Sequence, residues 1–221
     1  MYPSCALDIL NNSYLWPSNP YCGLIENILT GSHSYRSNDG LVQLTSMSAL
    51  SDEDVSWPQM VLRVRHASME AGFTKDHSDK FAGAIGELYN NAIEHSRSAE
   101  SGYIVFSSTP GRFEFVVGDK GIGILSSLAS NPRYSNIQDA GIALEAALTD
   151  GVSRFPAVSG RGTGFKPTIN GLANIAQELR FRSDDHGRIF VRNSTGVICA
   201  RTVQKSPISG FLISVSCRLN F

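Results

Sequence analysis

The stretch "FAGAIGELYNNAIEHS", residues 81–96, decides the fold because its apolar residues recur with helical spacing. They lie three and four positions apart: Phe81, Ile85, Leu88 and Ala92. This spacing predicts a helix from about Asp76 to Ser96, with one side packed against a core. Two adjacent asparagines, Asn90 and Asn91, interrupt it, although the asparagine amide competes for the backbone and is a mediocre helix former.

A second stripe on this helix is polar. Glu87, Asn91 and His95 follow one another at intervals of four residues, which places them on one side of the helix. An asparagine oxygen is a ligand for Mg²⁺, which binds few protein oxygens and completes its shell with substrate phosphates. A glutamate one turn away is placed to orient or deprotonate a water or a hydroxyl. Taken alone, the stripe leaves open the alternative of a solvated helix face.

The overall composition is that of a globular protein and excludes several classes. The 221 residues are 42% hydrophobic and 18% charged, with a formal net charge of -1, so no broad nucleic-acid footprint is expected. No apolar run approaches 18 residues, and Asp8 interrupts a start that lacks basic residues, so we expect neither a membrane span nor a secretory signal. The four scattered cysteines favour reduced thiols, and the expected location is cytoplasmic.

The chain divides at about residue 50. Residues 1–50 are rich in Asn, Ser, Gly, Pro and Tyr, match no motif, and contain one predicted strand at Leu41–Leu44. Ser51–Asp54 resembles a capping box that opens a helix ending near Gly72. We therefore predict an N-terminal extension of unknown role, residues 1–50, followed by one domain, residues 51–221.

In the rest of the domain, helices and hairpins are grouped rather than strictly alternating. A hairpin is predicted over Gly102–Ser108 and Arg112–Val117, helices near Ile137–Thr149 and Thr168–Leu179, and three final strands at Arg188–Arg192, Val197–Val203 and Phe211–Leu219. This grouping predicts an α+β fold: a two-layer sandwich with a mixed, mostly antiparallel sheet and helices on one face.

The first glycine-rich segment is "VVGDKGIGI", residues 116–124, directly after a predicted strand. Asp119 stands just beyond the strand, where a buried carboxylate is able to accept a hydrogen bond from an exocyclic amine such as that of adenine. Gly121 and Gly123 allow a tight turn and the close approach of a flat ligand to the backbone. The alternative is an ordinary strand-to-loop turn, in which Asp and Gly are common.

The second glycine-rich segment is "GRGTGF", residues 160–165, before a predicted helix. Glycines at this place expose backbone N–H groups to a phosphate, and Arg161 and Lys166 add positive charge. The segment is neither a Walker A loop, since no Gly-Lys-Ser/Thr follows, nor a dinucleotide-binding Gly-x-Gly-x-x-Gly. In isolation, a flexible glycine hinge is an equally good interpretation.

The order of these motifs resembles the GHKL superfamily of ATP-binding domains, which includes gyrase, the ninety-kilodalton heat-shock chaperone, histidine kinases and MutL. Its N box resembles Glu87–His95, its first glycine box resembles Asp119–Gly123, and its second resembles Gly160–Phe165. The "NAIEHS" stretch is most similar to stand-alone serine kinases that act on anti-sigma-factor systems. The resemblance covers about residues 51–221.

The resemblance implies ATP and Mg²⁺ as ligands and assigns roles by motif position. Asn91 would ligate Mg²⁺, Glu87 would activate the attacking group, and Asp119 would receive the adenine amine. The remaining nucleotide-binding residues implied are His95, Gly121, Gly123, Gly160, Arg161, Gly162, Thr163 and Gly164, with a lid at about residues 125–160. The family often places a threonine near the final strand, but Phe211 follows Gly210 here, so Ser214 and Thr163 are the candidate substitutes.

Two functions follow from the resemblance. In the first, the protein is a stand-alone ATPase or protein kinase that transfers phosphate in trans to a regulatory partner, such as a STAS-like antagonist, a sigma factor or another substrate protein. In the second, it is an ATP-gated protein-binding module with little or no turnover. No phosphoacceptor histidine motif is found around His33 or His66, nucleic-acid and membrane partners are not expected, and a homodimer is left open.

Overall fold

The computed structural model describes residues 34–37, 40–50, 55–98, 101–148, 165–193 and 195–219. Their strands form one six-stranded sheet in the order β1-β2-β3-β4-β6-β5, and every pairing is antiparallel. The strands are β1 (Ser34–Ser37), β2 (Gly40–Ser46), β3 (Tyr103–Thr109), β4 (Arg112–Asp119), β5 (Glu178–Arg192) and β6 (Ile198–Arg218). The α+β sandwich predicted from the sequence is confirmed.

The helices all contribute side chains to one core cluster on a single face of the sheet, here called the first face. They are α1 (Ser56–Glu70), α2 (Lys75–His95), α3 (Gly123–Ala129), α4 (Ala140–Ala147) and α5 (Phe165–Ile175), with short 3-10 turns at Met47–Ala49 and Pro132–Tyr134. Helix α2 lies centrally and contacts both α1 and α5. In the part of the chain that the structure describes, no helix is long and apolar enough to cross a membrane.

The apolar stripe of α2 is buried as predicted. Its four members are at most 1% exposed: Phe81, Ile85, Leu88 and Ala92. Phe81 stacks on Phe113 of β4, with ring centroids 5.2 Å apart. Burial of one aromatic or aliphatic side chain contributes roughly 1.5–3 kcal/mol, so this stripe fixes the helix on the sheet and thereby sets the direction of its polar side.

Helix boundaries differ slightly from the predicted ones. The predicted capping box at Ser51–Asp54 lies outside the described residues, and α1 spans Ser56–Glu70, followed by Gly72 with φ +97°. Thr74 caps α2, its hydroxyl accepting from the His77 N–H. The predicted helix at Thr168–Leu179 is found earlier, at Phe165–Ile175.

The prediction of three final strands is wrong, because the chain makes two long ones. Strand β5 begins at Glu178, and β6 continues through the segment between the second and third predicted strands. The alternating pattern is broken at a bulge, where the register shifts on both sides of Asp184 and Asp184 has φ +53°. A bulge places polar residues out of phase with the pleat, which hides a continuous strand from periodicity.

Beyond this bulge, residues 184–193 and 195–208 form a hairpin arm. It pairs Asp184–Arg192 with Ile198–Ile208 and bends toward α4 and α5. Arg192 donates its backbone N–H to the Gln177 carbonyl and its guanidinium to the carbonyls of Ala173 and Asn174. The end of the arm therefore lies beside the residue that precedes β5 and caps the C-terminal end of α5.

Candidate functional site

Asp119 stands at the end of β4, and its burial gives the site its most distinctive electrostatic feature. The residue is 3% exposed. Burial raises the pKa of its carboxyl to about 6, against the opposing effect of backbone N–H groups from Gly121 and Phe211. The Gly121 N–H donates to Oδ1 at 2.7 Å, whereas the buried Oδ2 has no hydrogen-bond partner among the described residues. An unpartnered buried acceptor of this kind fits the exocyclic amine of a purine.

The first glycine box is pressed against the end of α2. The N–H of Ile122 donates to the Ser96 carbonyl at 3.0 Å. A Cβ at position 121 would stand 2.2 Å from that same carbonyl oxygen, so only glycine fits there. The turn therefore brings the box that begins at Asp119 next to the helix that carries the polar stripe.

Gly123 begins α3 with φ +76° and faces the bulge of β5. The hydroxyl of Ser183, which is fully buried, accepts from the Ile124 N–H at 2.9 Å and lies 2.8 Å from the Gly210 carbonyl and 2.9 Å from Asp184 Oδ2. Strand β5 thus supports the start of α3 and the backbone of β6 at Gly210, which lies against Asp119. The box is held in one backbone conformation from two directions.

The polar stripe on α2 is organised less tightly. Asn91 is half-buried and donates its side-chain Nδ2 to the Glu87 carbonyl at 2.6 Å. That bond uses the amide nitrogen on the helix itself, so the oxygen Oδ1 is the atom that points away from the backbone. Glu87 is exposed and His95 is half-buried. Since a helix rises 1.5 Å per residue, Asn91 lies roughly 7.5 Å along the axis from Ser96, whose carbonyl contacts the glycine box.

The described chain therefore brings together the N box and the first glycine box. Asn91, Glu87 and His95 share the α2 segment that ends at the box containing Asp119. The predicted second glycine box, from Gly160 to Gly164 with Arg161, Gly162 and Thr163, lies outside the described residues, as does part of the predicted lid. The described part of that lid holds α3 and α4.

One predicted substitute for the missing threonine is in the wrong place. Ser214 pairs with Val116, whose side chain points to the face of the sheet opposite the helices, so Ser214 does not reach Asp119. Residue Phe211 pairs with Asp119 and supplies a backbone N–H. Thr163 lies outside the described residues.

The donor set fits a magnesium nucleotide better than a metal held by protein alone. The described residues contain no group of three or more His, Cys, Asp or Glu side chains able to hold a metal ion. Mg²⁺ needs only one or two protein oxygens when phosphates supply the others, and an asparagine oxygen such as that of Asn91 is of the type that serves as this ligand. The Asp119 acceptor fits an adenine, so the residues present suit both ends of Mg-ATP.

Comparison with protein families agrees with this geometry. Residues 50–164, more than half of the chain, match the model of the histidine kinase-like ATPase domain. The chain belongs to this family. The match includes the N box and the first glycine box, and family membership supports ATP binding by this ATPase domain. A search of curated proteins found no match to the chain.

Three contributors to the site were missed by sequence reasoning. Ser96 supplies the carbonyl that receives the glycine box, and Ser183 and Asp184 brace Gly123 from β5. Ser96 directly follows the observed helix α2, and the need for a carbonyl against Gly121 has no sequence signal. Ser183 and Asp184 were missed because only the last part of β5, Arg188–Arg192, was predicted as a strand.

Proposed function

We propose that this ATPase domain binds Mg-ATP and acts as a stand-alone ATPase or protein kinase that transfers phosphate to a partner protein in trans. The observation that carries the proposal is the unpartnered, buried Oδ2 of Asp119, held beside the end of the helix that bears Asn91 and Glu87. That corner offers an acceptor to adenine, and the helix runs from it toward the position of the phosphates.

Each residue of the helix would then have a separate task. Asn91 would hold the Mg²⁺ through its amide oxygen, and the ion would neutralise charge on the phosphates. Glu87, one turn earlier, would orient the attacking hydroxyl or water and accept its proton as the oxygen bonds to the γ-phosphorus and the bond to the β–γ bridging oxygen breaks. His95 and the second glycine box, Gly160–Gly164, would complete the nucleotide contacts.

The domain limits and partners belong to the same proposal. Residues 51–221 would form the ATP-binding unit, with a lid at about residues 125–160, and residues 1–50 an extension. The structure's described lid helix α4 is tied to the hairpin arm, since Glu145 accepts from Arg188 and Thr202 at 2.6 Å each. A regulatory protein of the STAS-like or sigma-factor kind would receive the phosphate or bind the lid.

A second function is an ATP-gated binding module with little turnover. The observation that favours it is the exposure of Glu87, whose carboxylate is not enclosed in the described structure. In this function ATP would order the lid and create a surface for the partner, and the carboxylate would have no chemical role.

One experiment separates the two functions. Wild type and Glu87→Ala are incubated with Mg²⁺ and γ-labelled ATP, alone and with lysate of the source cell, and released phosphate and labelled protein are counted. The enzyme proposal expects Glu87→Ala to bind ATP as wild type does but to lose release or transfer by at least about 100-fold. Asp76→Asn, an exposed carboxylate at the other end of α2, serves as the control with full turnover.

If wild type binds ATP but neither releases nor transfers phosphate, the gated module is the correct function. If wild type does not bind ATP, both functions fail.

A further inference from the structure

The hairpin arm contacts three helices, and each helix adjoins a motif of the candidate site. Helix α3 begins in the first glycine box, α4 lies in the predicted lid, and α5 directly follows the second glycine box. The strand residues at the base of the arm brace the start of α3, the middle of the arm contacts α4, and Arg192 near its tip donates to carbonyls at the end of α5. The arm is therefore placed to fix these helices relative to one another.

Glu145 on α4 is held by both strands of the arm. Arg188 on β5 and Thr202 on β6 are cross-strand partners, and each donates to Glu145 Oε1 at 2.6 Å. Arg188 Nη1 also donates to the Thr202 hydroxyl oxygen at 2.7 Å, so the three side chains form a closed set of hydrogen bonds. Because Glu145 is 54% exposed, water screens the charge attraction, and these bonds alone do not fix the helix.

A steric contact one turn earlier on α4 completes the attachment. Gly141 is buried, and a Cβ at this position would stand 2.9 Å from Cδ2 of His186. The imidazole is itself held in place, because its Nδ1 lies 2.8 Å from Asp185 Oδ1 and Asp185 Oδ2 accepts from Gln204 at 3.2 Å. The helix therefore approaches the arm as closely as a residue without a side chain permits.

The attachment of α4 extends to the first glycine box through α3, which packs against α4. At the base of the arm, Ser183 Oγ accepts from the Ile124 N–H at 2.9 Å, and Asp184 Oδ2 lies 3.5 Å from the Leu125 nitrogen. The pair of helices is thus held at two places along one hairpin. Since α3 begins at Gly123, movement of α4 away from the arm loosens the end of the glycine box.

We propose that the arm clamps the nucleotide site, with Arg188, Thr202 and His186 as positioning residues for ATP binding. They hold α4 against the arm, and α4 in turn holds α3 and the first glycine box in the place that the nucleotide requires. None of the three lies in a predicted nucleotide-binding motif. This role rests on the proposed function, because it requires that the domain binds ATP.

Arg188→Gln tests the polar half of the clamp, and Arg201→Gln is its matched control. Arg201 is exposed, pairs with Ile189 beside the Arg188–Thr202 pair, and points to the opposite face of the arm. ATP affinity and dissociation rate are measured on folded protein, where a loss of stability alone changes neither. Arg188→Gln should weaken ATP binding by about tenfold, chiefly through faster dissociation. Arg201→Gln should change it by less than about twofold.

Gly141→Ala tests the steric half without removing any ion pair. Its Cβ pushes α4 away from His186, although alanine favours a helix more than glycine does. We expect a similar loss of ATP affinity, about tenfold. Gly171→Ala on α5 is the control, because a Cβ there meets no atom within 4 Å, and this variant should bind ATP as wild type does.

Two further measurements separate positioning from general stability. Arg188→Gln and Glu145→Ala should be non-additive, so that the double variant binds ATP no more weakly than the weaker-binding single variant. In the ligand-free protein, amide exchange across α3, residues 123–129, should quicken by about tenfold in Arg188→Gln and Gly141→Ala. It should stay unchanged in the two controls.

Unchanged ATP affinity in folded Arg188→Gln and Gly141→Ala would overturn the clamp, as would equal losses in their controls or an additive double variant. If Arg188→Gln does not fold, Gly141→Ala and its control decide the question. Absence of ATP binding by wild type would refute the proposed function and the clamp together. Wild type that binds ATP, with variants that bind it equally well, refutes the clamp alone.

Discussion

The two ends of the candidate nucleotide site are built differently. At the Asp119 corner, the carboxylate is buried and the glycine turn is fixed by Ser96 on one side and by Ser183 on the other. On α2, Glu87 is exposed and Asn91 is held by one bond to its own helix. The Asp119 corner is desolvated when the protein folds, which in the proposed function would pre-organise it for a purine. The α2 end, the open end of the site, would leave its oxygens accessible to an ion and phosphates.

The difference predicts that damage at the glycine turn has the largest effect. Gly121→Ala places a Cβ 2.2 Å from the Ser96 carbonyl, and both partners are backbone. We expect the free energy of unfolding to fall by about 1–3 kcal/mol and ATP affinity to fall by more than about 100-fold, because the turn must move away from Asp119. Urea unfolding and calorimetric titration measure the two quantities.

Gly83→Ala is the matched control on α2, since a Cβ there meets no atom within 4 Å. It should raise the free energy of unfolding by about 0.5–1 kcal/mol and leave ATP binding unchanged. Equal behaviour of the two alanine variants would show that the turn is not constrained as described.

The pH dependence of ATP binding tests the buried end of the site, and the expected change in affinity is smaller than that for Gly121→Ala. The pKa of Asp119 is raised to about 6 by burial, so this carboxyl loses its charge as the pH falls through 6. The adenine amine needs an acceptor, and we expect ATP affinity to weaken by about tenfold between pH 7 and pH 5. ATP affinity of Asp119→Asn, measured over the same pH range, gives the change that comes from protonation of ATP's own phosphates. This variant should lack the additional tenfold change that we assign to Asp119.

The same pKa shift has a consequence for the ligand-free protein. Because the folded form binds the Asp119 proton more tightly than the unfolded form, the contribution of this group to stability is fully present below about pH 4. It is lost as the pH rises through about 6. Urea midpoints for wild type and Asp119→Asn should therefore differ in slope across this window, and parallel curves would contradict the burial of the carboxyl.

The open end should respond selectively to magnesium. Asn91→Ala removes one ligand of the ion while phosphates and waters remain, so ATP binding with Mg²⁺ should weaken by about tenfold and binding without Mg²⁺ should not change. Asn90→Ala, the exposed neighbour off the stripe, is the control. A loss of equal size with and without Mg²⁺ would mean that Asn91 supports the helix and holds no ion.

The sequence predicted those parts of the molecule that repeat or follow a local rule. The apolar stripe from Phe81 to Ala92 has helical spacing, and the β3–β4 hairpin has a Thr-Pro-Gly turn, so both were located correctly. The first glycine box follows β4 as predicted, whereas the second box lies outside the described residues and stays a prediction.

Contacts between distant segments were not predictable. Ser183 reaches Ile124 across 59 positions, and Ser96 meets Gly121 through backbone atoms that carry no sequence signal. The bulge at Asp184 hid the continuity of β5, because it disrupts the alternation on which strand prediction rests.

The most direct test of the central claim compares ATP with GTP in one competitive binding measurement with Mg²⁺. Both nucleotides present the same phosphates to the open end, but adenine offers an amine to Asp119 Oδ2 where guanine offers a carbonyl oxygen. A buried acceptor left without its donor costs about 1.5–3 kcal/mol, so GTP should bind at least about tenfold more weakly than ATP. Equal affinities, or preference for GTP, would contradict the account of Asp119 as the adenine acceptor.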